Sequence, residues 1–131
     1  MDANKDYFVL ATTNETGKVR GINYFTNYRY DNVLWVFTST EEASKFVRRR
    51  VDQKQAYLDL VEDSAPDRTE RIARIEPFDK AIKLDFRNLA KVAEGMGIDI
   101  LALDAGSDDP TSRLFRVREE DDYPDALPYT G

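Results

Sequence analysis

The stretch Val33 to Val51, VLWVFTSTEEASKFVRRRV, constrains the fold more than any other part of the chain. Val33, Leu34, Trp35, Val36 and Phe37 form an unbroken apolar, β-favouring run of strand length. Ser39 followed three residues later by Glu42 has the spacing of a capping box, and it falls where the apolar period changes from strand to helix. Beyond it, Ala43, Phe46, Val47 and Val51 share one helical stripe, which predicts that the helix folds back on the strand. Tyr57, Leu58 and Val61 carry the stripe onward, while Arg50 and Lys54 interrupt it, so a helix from about Thr40 to Val61 is expected to bend or end early. This junction is a scaffold signal and carries no chemistry.

The segments around it have plainer signatures. Residues 6–13 (DYFVLATT) predict a first strand, and Asn14-Glu15-Thr16-Gly17 a turn in which Gly17 supplies a positive φ. Residues 18–30 alternate, so Ile22, Tyr24, Thr26, Tyr28 and Tyr30 share a face if the strand runs unbroken. Short turns between three strands predict an antiparallel meander. Residues 62–70 predict a loop, and Ile72 and Ile75 a short strand that Pro77 ends. Ala81 to Leu84 leads into a second helix, with Asp85 as N-cap, Leu84 and Leu89 as a hydrophobic staple, and Gly95 or Gly97 at its end. Phe86, Leu89, Ala90, Ala93 and Met96 form its apolar stripe. Residues 98–103 predict a further strand, and residues 112–118 an edge strand with Phe115 and Val117 inward. From Glu119 on, four acids in succession and two prolines predict a mobile acidic tail over 119–131.

Composition narrows the chemistry. At 131 residues and 41% apolar the chain can bury one hydrophobic core. It has no cysteine, which removes disulfides, cysteine-based zinc sites and thiol nucleophiles. It also has no histidine, the commonest general base near neutral pH and the commonest transition-metal ligand. The first 60 residues carry 9 basic and 8 acidic side chains, whereas residues 61–131 carry 10 and 17. The net charge of -6 argues against a dedicated duplex-DNA binder, whose affinity rests on neutralising phosphates. With no apolar run of spanning length and a polar, acidic start, a soluble cytoplasmic protein is expected.

The succession of strand, turn and strand, then FTSTEEASKFV, then IKLDFRNLAKVAEGMGIDILALDAG, resembles the N-terminal domain of SseB-like bacterial proteins. The resemblance covers roughly residues 7–106 and rests on structural motifs. Its closing turn here is Asp104-Ala105-Gly106, without the proline of the family's pattern. It implies a small α/β module with a protein-binding role and brings no catalytic residues with it.

Four constellations are candidates for function. Arg48, Arg49 and Arg50, with Lys45 and Lys54, can meet an anion or an acidic partner. Three successive helical residues span about 200° of helix surface, so they cannot all face one ligand. A solvated face with pairs such as Glu42–Lys45 is the simpler reading. Tyr24, Phe25, Tyr28 and Tyr30, with Arg20 and Arg29, can form a protein-binding patch or stack the bases of a single strand. Cross-strand aromatic packing is the alternative. Asp99, Asp104, Asp108 and Asp109 offer oxygen ligands, without the spacing of an EF-hand. Leu127-Pro128-Tyr129-Thr130-Gly131 fits the sortase pattern but lacks a following apolar span and basic tail, and so reads as chance.

The expectation is therefore a single α+β domain over residues 1–118, with a mainly antiparallel sheet of about five strands and two helices packed on one face. The expected function is a non-enzymatic binding or adaptor module for a protein partner, without cofactor or metal. Single-stranded nucleic-acid binding comes second, and a metal-dependent carboxylate enzyme third. The expected binding residues are Arg20, Tyr24, Tyr28, Arg29, Tyr30, Arg48 and Arg49.

Overall fold

A computed structural model describes residues 1–27, 29–61, 80–105, 114–120 and 123–129. The elements in chain order are β1 (Asp6–Thr13), β2 (Val19–Ile22), β3 (Tyr24–Thr26), β4 (Asn32–Val36), α1 (Thr40–Leu60), β5 (Lys80–Asp85), α2 (Phe86–Gly95), β6 (Ile100–Leu103), β7 (Leu114–Glu120) and β8 (Tyr123–Pro128). The class is α+β, as expected. The described strands form two sheets, one of three strands in the order β2-β1-β5 and one of five in the order β3-β4-β6-β7-β8. The sequence led to one sheet because a hydrogen-bonded partner cannot be read from periodicity.

The core is built around β4 and β6, the one parallel pair among the described strands, with Val33 opposite Ile100 and Val36 opposite Leu103. Leu34, Val36 and Leu101 pack with Tyr7, Val9, Phe86, Leu89, Ala93 and Phe115 on the α2 side. Val33, Trp35, Phe37, Ile100 and Ala102 pack with Leu10, Ala43 and Phe46 on the α1 side. The helices thus cover opposite faces of β4, which corrects the expectation of one shared face. The physical sign was the run itself: VLWVF is apolar at every position, the pattern of a strand buried on both faces.

The two sheets are tied together along β1. The N–H and C=O groups of Phe8 and Phe37 exchange two hydrogen bonds, each 2.8 Å long. The Asn23 N–H donates to the Leu10 carbonyl at 2.7 Å. Asn23, buried with 5% exposure, is also where the predicted strand over 18–30 bends. Before it the chain pairs with β1, and after it with β4. The long alternation therefore does not produce one continuous face.

Both helix starts form as the caps predict. The Ser39 hydroxyl accepts from the Glu42 N–H at 3.1 Å, and the Asp85 carboxylate from the Asn88 N–H at 2.7 Å. Helix α1 runs 21 residues without the expected early end. Only Ala43 and Phe46 are buried on it; Val51 is 44% exposed, so the stripe meets the sheet only in the first turns. Burying a Phe-sized side chain contributes roughly 1.5–3 kcal/mol, so Phe46 anchors the helix. Ala81 to Leu84, which leads into the second helix as expected, belongs to the strand β5. Gly97, at φ 71°, ends α2 in the left-handed conformation that glycine adopts without strain.

The carboxy-terminal part departs most from expectation. β7 is not an edge: it lies between β6 and β8, with Phe115 buried as predicted. The expected mobile tail contains β8, which pairs with β7 from Phe115↔Pro128 to Glu120↔Tyr123. Ala126 is buried in the α2-side core, and Arg118 makes a two-point ion pair with Asp125 at 2.9 and 3.2 Å. A strand flanked by acids and prolines folds here because edge strands tolerate proline and because Ala126 reaches the core. The predicted loop over 62–70 and strand around Ile72 and Ile75 lie outside the described residues.

Candidate protein-binding surfaces

The turn from β3 to β4 is organised by Asn27. Its N–H donates to the Asp31 carbonyl at 2.9 Å, and its carbonyl accepts from the Tyr30 N–H at 3.0 Å. Its side-chain oxygen accepts from the backbone N–H groups of Arg29 and Asp31, each at 2.9 Å. The Thr26 hydroxyl donates to the Asn32 side chain at 2.7 Å across the strand pair. These bonds define the turn without the Tyr30 ring. Tyr30 is 88% exposed and has a φ of 64°, a conformation that is a steric outlier for a bulky residue.

Tyr24 sits on β3, the outermost strand of the five-stranded sheet, and is 49% exposed. Its neighbour Phe25 points the other way and lies against Trp35, with ring centres 5.0 Å apart. Thus Tyr24 and Tyr30 are on the surface and Phe25 joins the packing. Tyr28 lies outside the described residues. Arg29 is exposed in the same turn.

The remaining predicted residues are elsewhere. Arg20, on β2, lines a hollow with Thr13, Asn14, Glu15 and Thr16 at the β1–β2 turn. Arg48 and Arg49 are exposed on α1, and Arg48 lines a groove between α1 and β5. Lys45 is paired with Glu42 at 3.3 Å, as the spacing suggested. Arg50 faces inward: its guanidinium lies 4.9 Å from the centre of the Trp35 ring, and burial lowers its pKa. The arginine run therefore splits between surface and core edge.

The structure also shows a groove of about 360 Å³ between α2 and β7 that no motif announced. Ala90, Ile98 and Val117 give it apolar walls, and Glu94, Asp99 and Arg118 a charged rim. Its residues come from separate elements, so no local spacing could have revealed it. Among the acids considered as metal ligands, Asp99 pairs with Arg116 at 3.4 Å, and Asp104 accepts from the Thr38 N–H and hydroxyl at 2.9 and 2.8 Å. Asp108 and Asp109 lie outside the described residues. Among the described residues, no group of three or more His, Cys, Asp or Glu side chains is placed to hold a metal ion. Tyr129, within the LPYTG segment, stacks on Arg116 at 4.6 Å. Among the described residues, no helix is long and apolar enough to cross a membrane.

Compared with known proteins, the chain matches no family model, no curated protein and no solved structure.

Proposed function

We infer that this chain is a single, non-enzymatic α+β module that binds a protein partner through the β3–β4 hairpin. One observation carries the reading: Tyr30 holds a left-handed backbone at the tip of the turn while its ring is 88% exposed. Such a backbone costs a non-glycine residue on the order of 1–3 kcal/mol, and the Asn27 hydrogen bonds would support glycine there equally well. A strained, exposed aromatic residue that does not serve the turn is placed to serve a contact. Tyrosine and arginine are the side chains enriched at protein interfaces, and Tyr24, Arg29 and Tyr30 supply both types on the outermost strand and its turn. The protein-binding role implied by the SseB-like resemblance agrees with this.

The test is affinity capture on the intact chain from its native host, comparing the wild type with a Tyr24→Ala/Tyr30→Ala variant, with and without nuclease. The reading expects a partner that survives nuclease and is lost with the double variant. A partner lost on nuclease treatment and weakened steeply by salt would instead favour single-stranded nucleic acid, whose phosphate contacts release counterions.

A further inference from the structure

We propose that the outer edge of β5 binds an extended acidic segment of a partner protein as an added strand. β5 is the outermost strand of its sheet, and among the described residues no strand pairs with its far side. Which backbone groups face that side follows from β1. Phe8 directs its N–H and C=O to Phe37, and Leu10 directs its C=O to Asn23, both away from β5. Phe8 opposes Lys83 and Leu10 opposes Ala81, so these are non-hydrogen-bonded pairs. In such pairs the groups of both residues point outward. Ala81 and Lys83 therefore present their N–H and C=O groups at the edge away from β1, which no described strand occupies, a ready template for another strand.

The surface beside the edge specifies the occupant. A groove of about 380 Å³ separates β5 from α1, with an apolar floor of Leu10, Ala43, Val47 and Ala81. Arg48 and Lys80 line it, and among the described residues neither has a carboxylate partner. Ile82 and Leu84 pack into the α2-side core and hold the strand in place. A segment whose groove-facing side chains, two residues apart along the strand, are in turn acidic and apolar can fill the groove and neutralise the two cations. A second copy of β5 would instead add its own Lys80 and Lys83 to a surface that already carries Arg48 and Lys80. This surface shares no residue with the tyrosine hairpin and is tested separately from it.

The experiment adds the extended peptide Thr-Glu-Thr-Val-Thr-Glu-Thr, whose Glu and Val side chains share one face, to the intact chain and follows backbone amide exchange and resonance shifts at Ala81 and Lys83. Slowed exchange at both amides is expected. Replacing Glu by Lys in the peptide, or methylating its alternate amide nitrogens, should abolish the effect. Arg48→Glu should weaken binding roughly five- to tenfold, as reversal of a complementary charge does. Lys83→Pro removes an outward N–H that the sheet does not use, so it should leave the fold intact and weaken binding. Unchanged exchange at millimolar peptide, equal binding of the lysine peptide, or slowing that depends on protein concentration alone would overturn the proposal; the last would mean self-pairing.

Discussion

The Arg50 guanidinium lies over the Trp35 ring, 4.9 Å from its centre, and 5.6 Å from that of Phe46. Trp35 and Phe46 are themselves 4.4 Å apart and meet edge to face. Arg50 thereby closes the aromatic layer between β4 and α1, its stem covering apolar surface while its charge faces the rings. Arg50→Ala should cost about 1–2 kcal/mol, combining the cation–π contact with lost packing. Trp35 is the chain's sole tryptophan, so its emission reports the site directly. A red shift with a lower denaturant midpoint is expected; no change in either would mean that the contact contributes nothing.

β8 should be required for full stability. A chain ending at Glu120 loses the β7–β8 ladder, the burial of Ala126 and the Arg118–Asp125 pair. A loss of about 3 kcal/mol would lower the melting temperature by roughly 10 °C in a domain of this size. An unchanged melting temperature would restore the tail expected from composition.

The contrast between the two ends shows what sequence can carry. Ser39, Glu42 and Asp85 announced their helix starts because a cap is a contact between near neighbours. The unbroken apolar run from Val33 to Phe37 signalled burial on both faces, yet did not say that Ile100 to Leu103 would lie beside it in parallel. The bend at Asn23 was hidden because the alternation continues through it, and only the Leu10 carbonyl redirects the chain. At the tail, acids and prolines concealed a strand whose buried Ala126 is too small to leave a hydrophobic signature. Of the candidate residues, the exposure of Tyr24 and Tyr30 followed from tyrosine's dual character, whereas their separation from Arg20 and Arg48 depends on strand pairing.

Tyr7 should make the fold sensitive to alkali. Its hydroxyl donates to the Asp2 carbonyl at 2.9 Å and accepts from the Asp2 N–H at 3.0 Å. Burial raises its pKa above the ordinary 10.0, outweighing the hydrogen bond from the Asp2 N–H, which favours the phenolate and acts to lower it. A folded-state pKa above the unfolded one means that the folded chain holds this proton more tightly. The resulting stabilisation is complete below the unfolded value and disappears as pH rises through the folded value. Tyr7→Phe should be less stable at neutral pH, because it loses both hydrogen bonds, and should show a shallower decline at high pH. Parallel pH profiles for wild type and variant would contradict this.

The central claim is that Tyr30 is held in a strained backbone for the sake of a partner, and Tyr30→Gly tests it most directly. Glycine adopts φ 64° without a steric penalty, and the Asn27 hydrogen bonds remain available to it. Thermal melts and partner capture should be read on the same variant. The account predicts a melting temperature equal to or above that of the wild type, together with loss of the nuclease-resistant partner. A lower melting temperature with the partner retained would contradict it, and would make Tyr30 a residue of the fold.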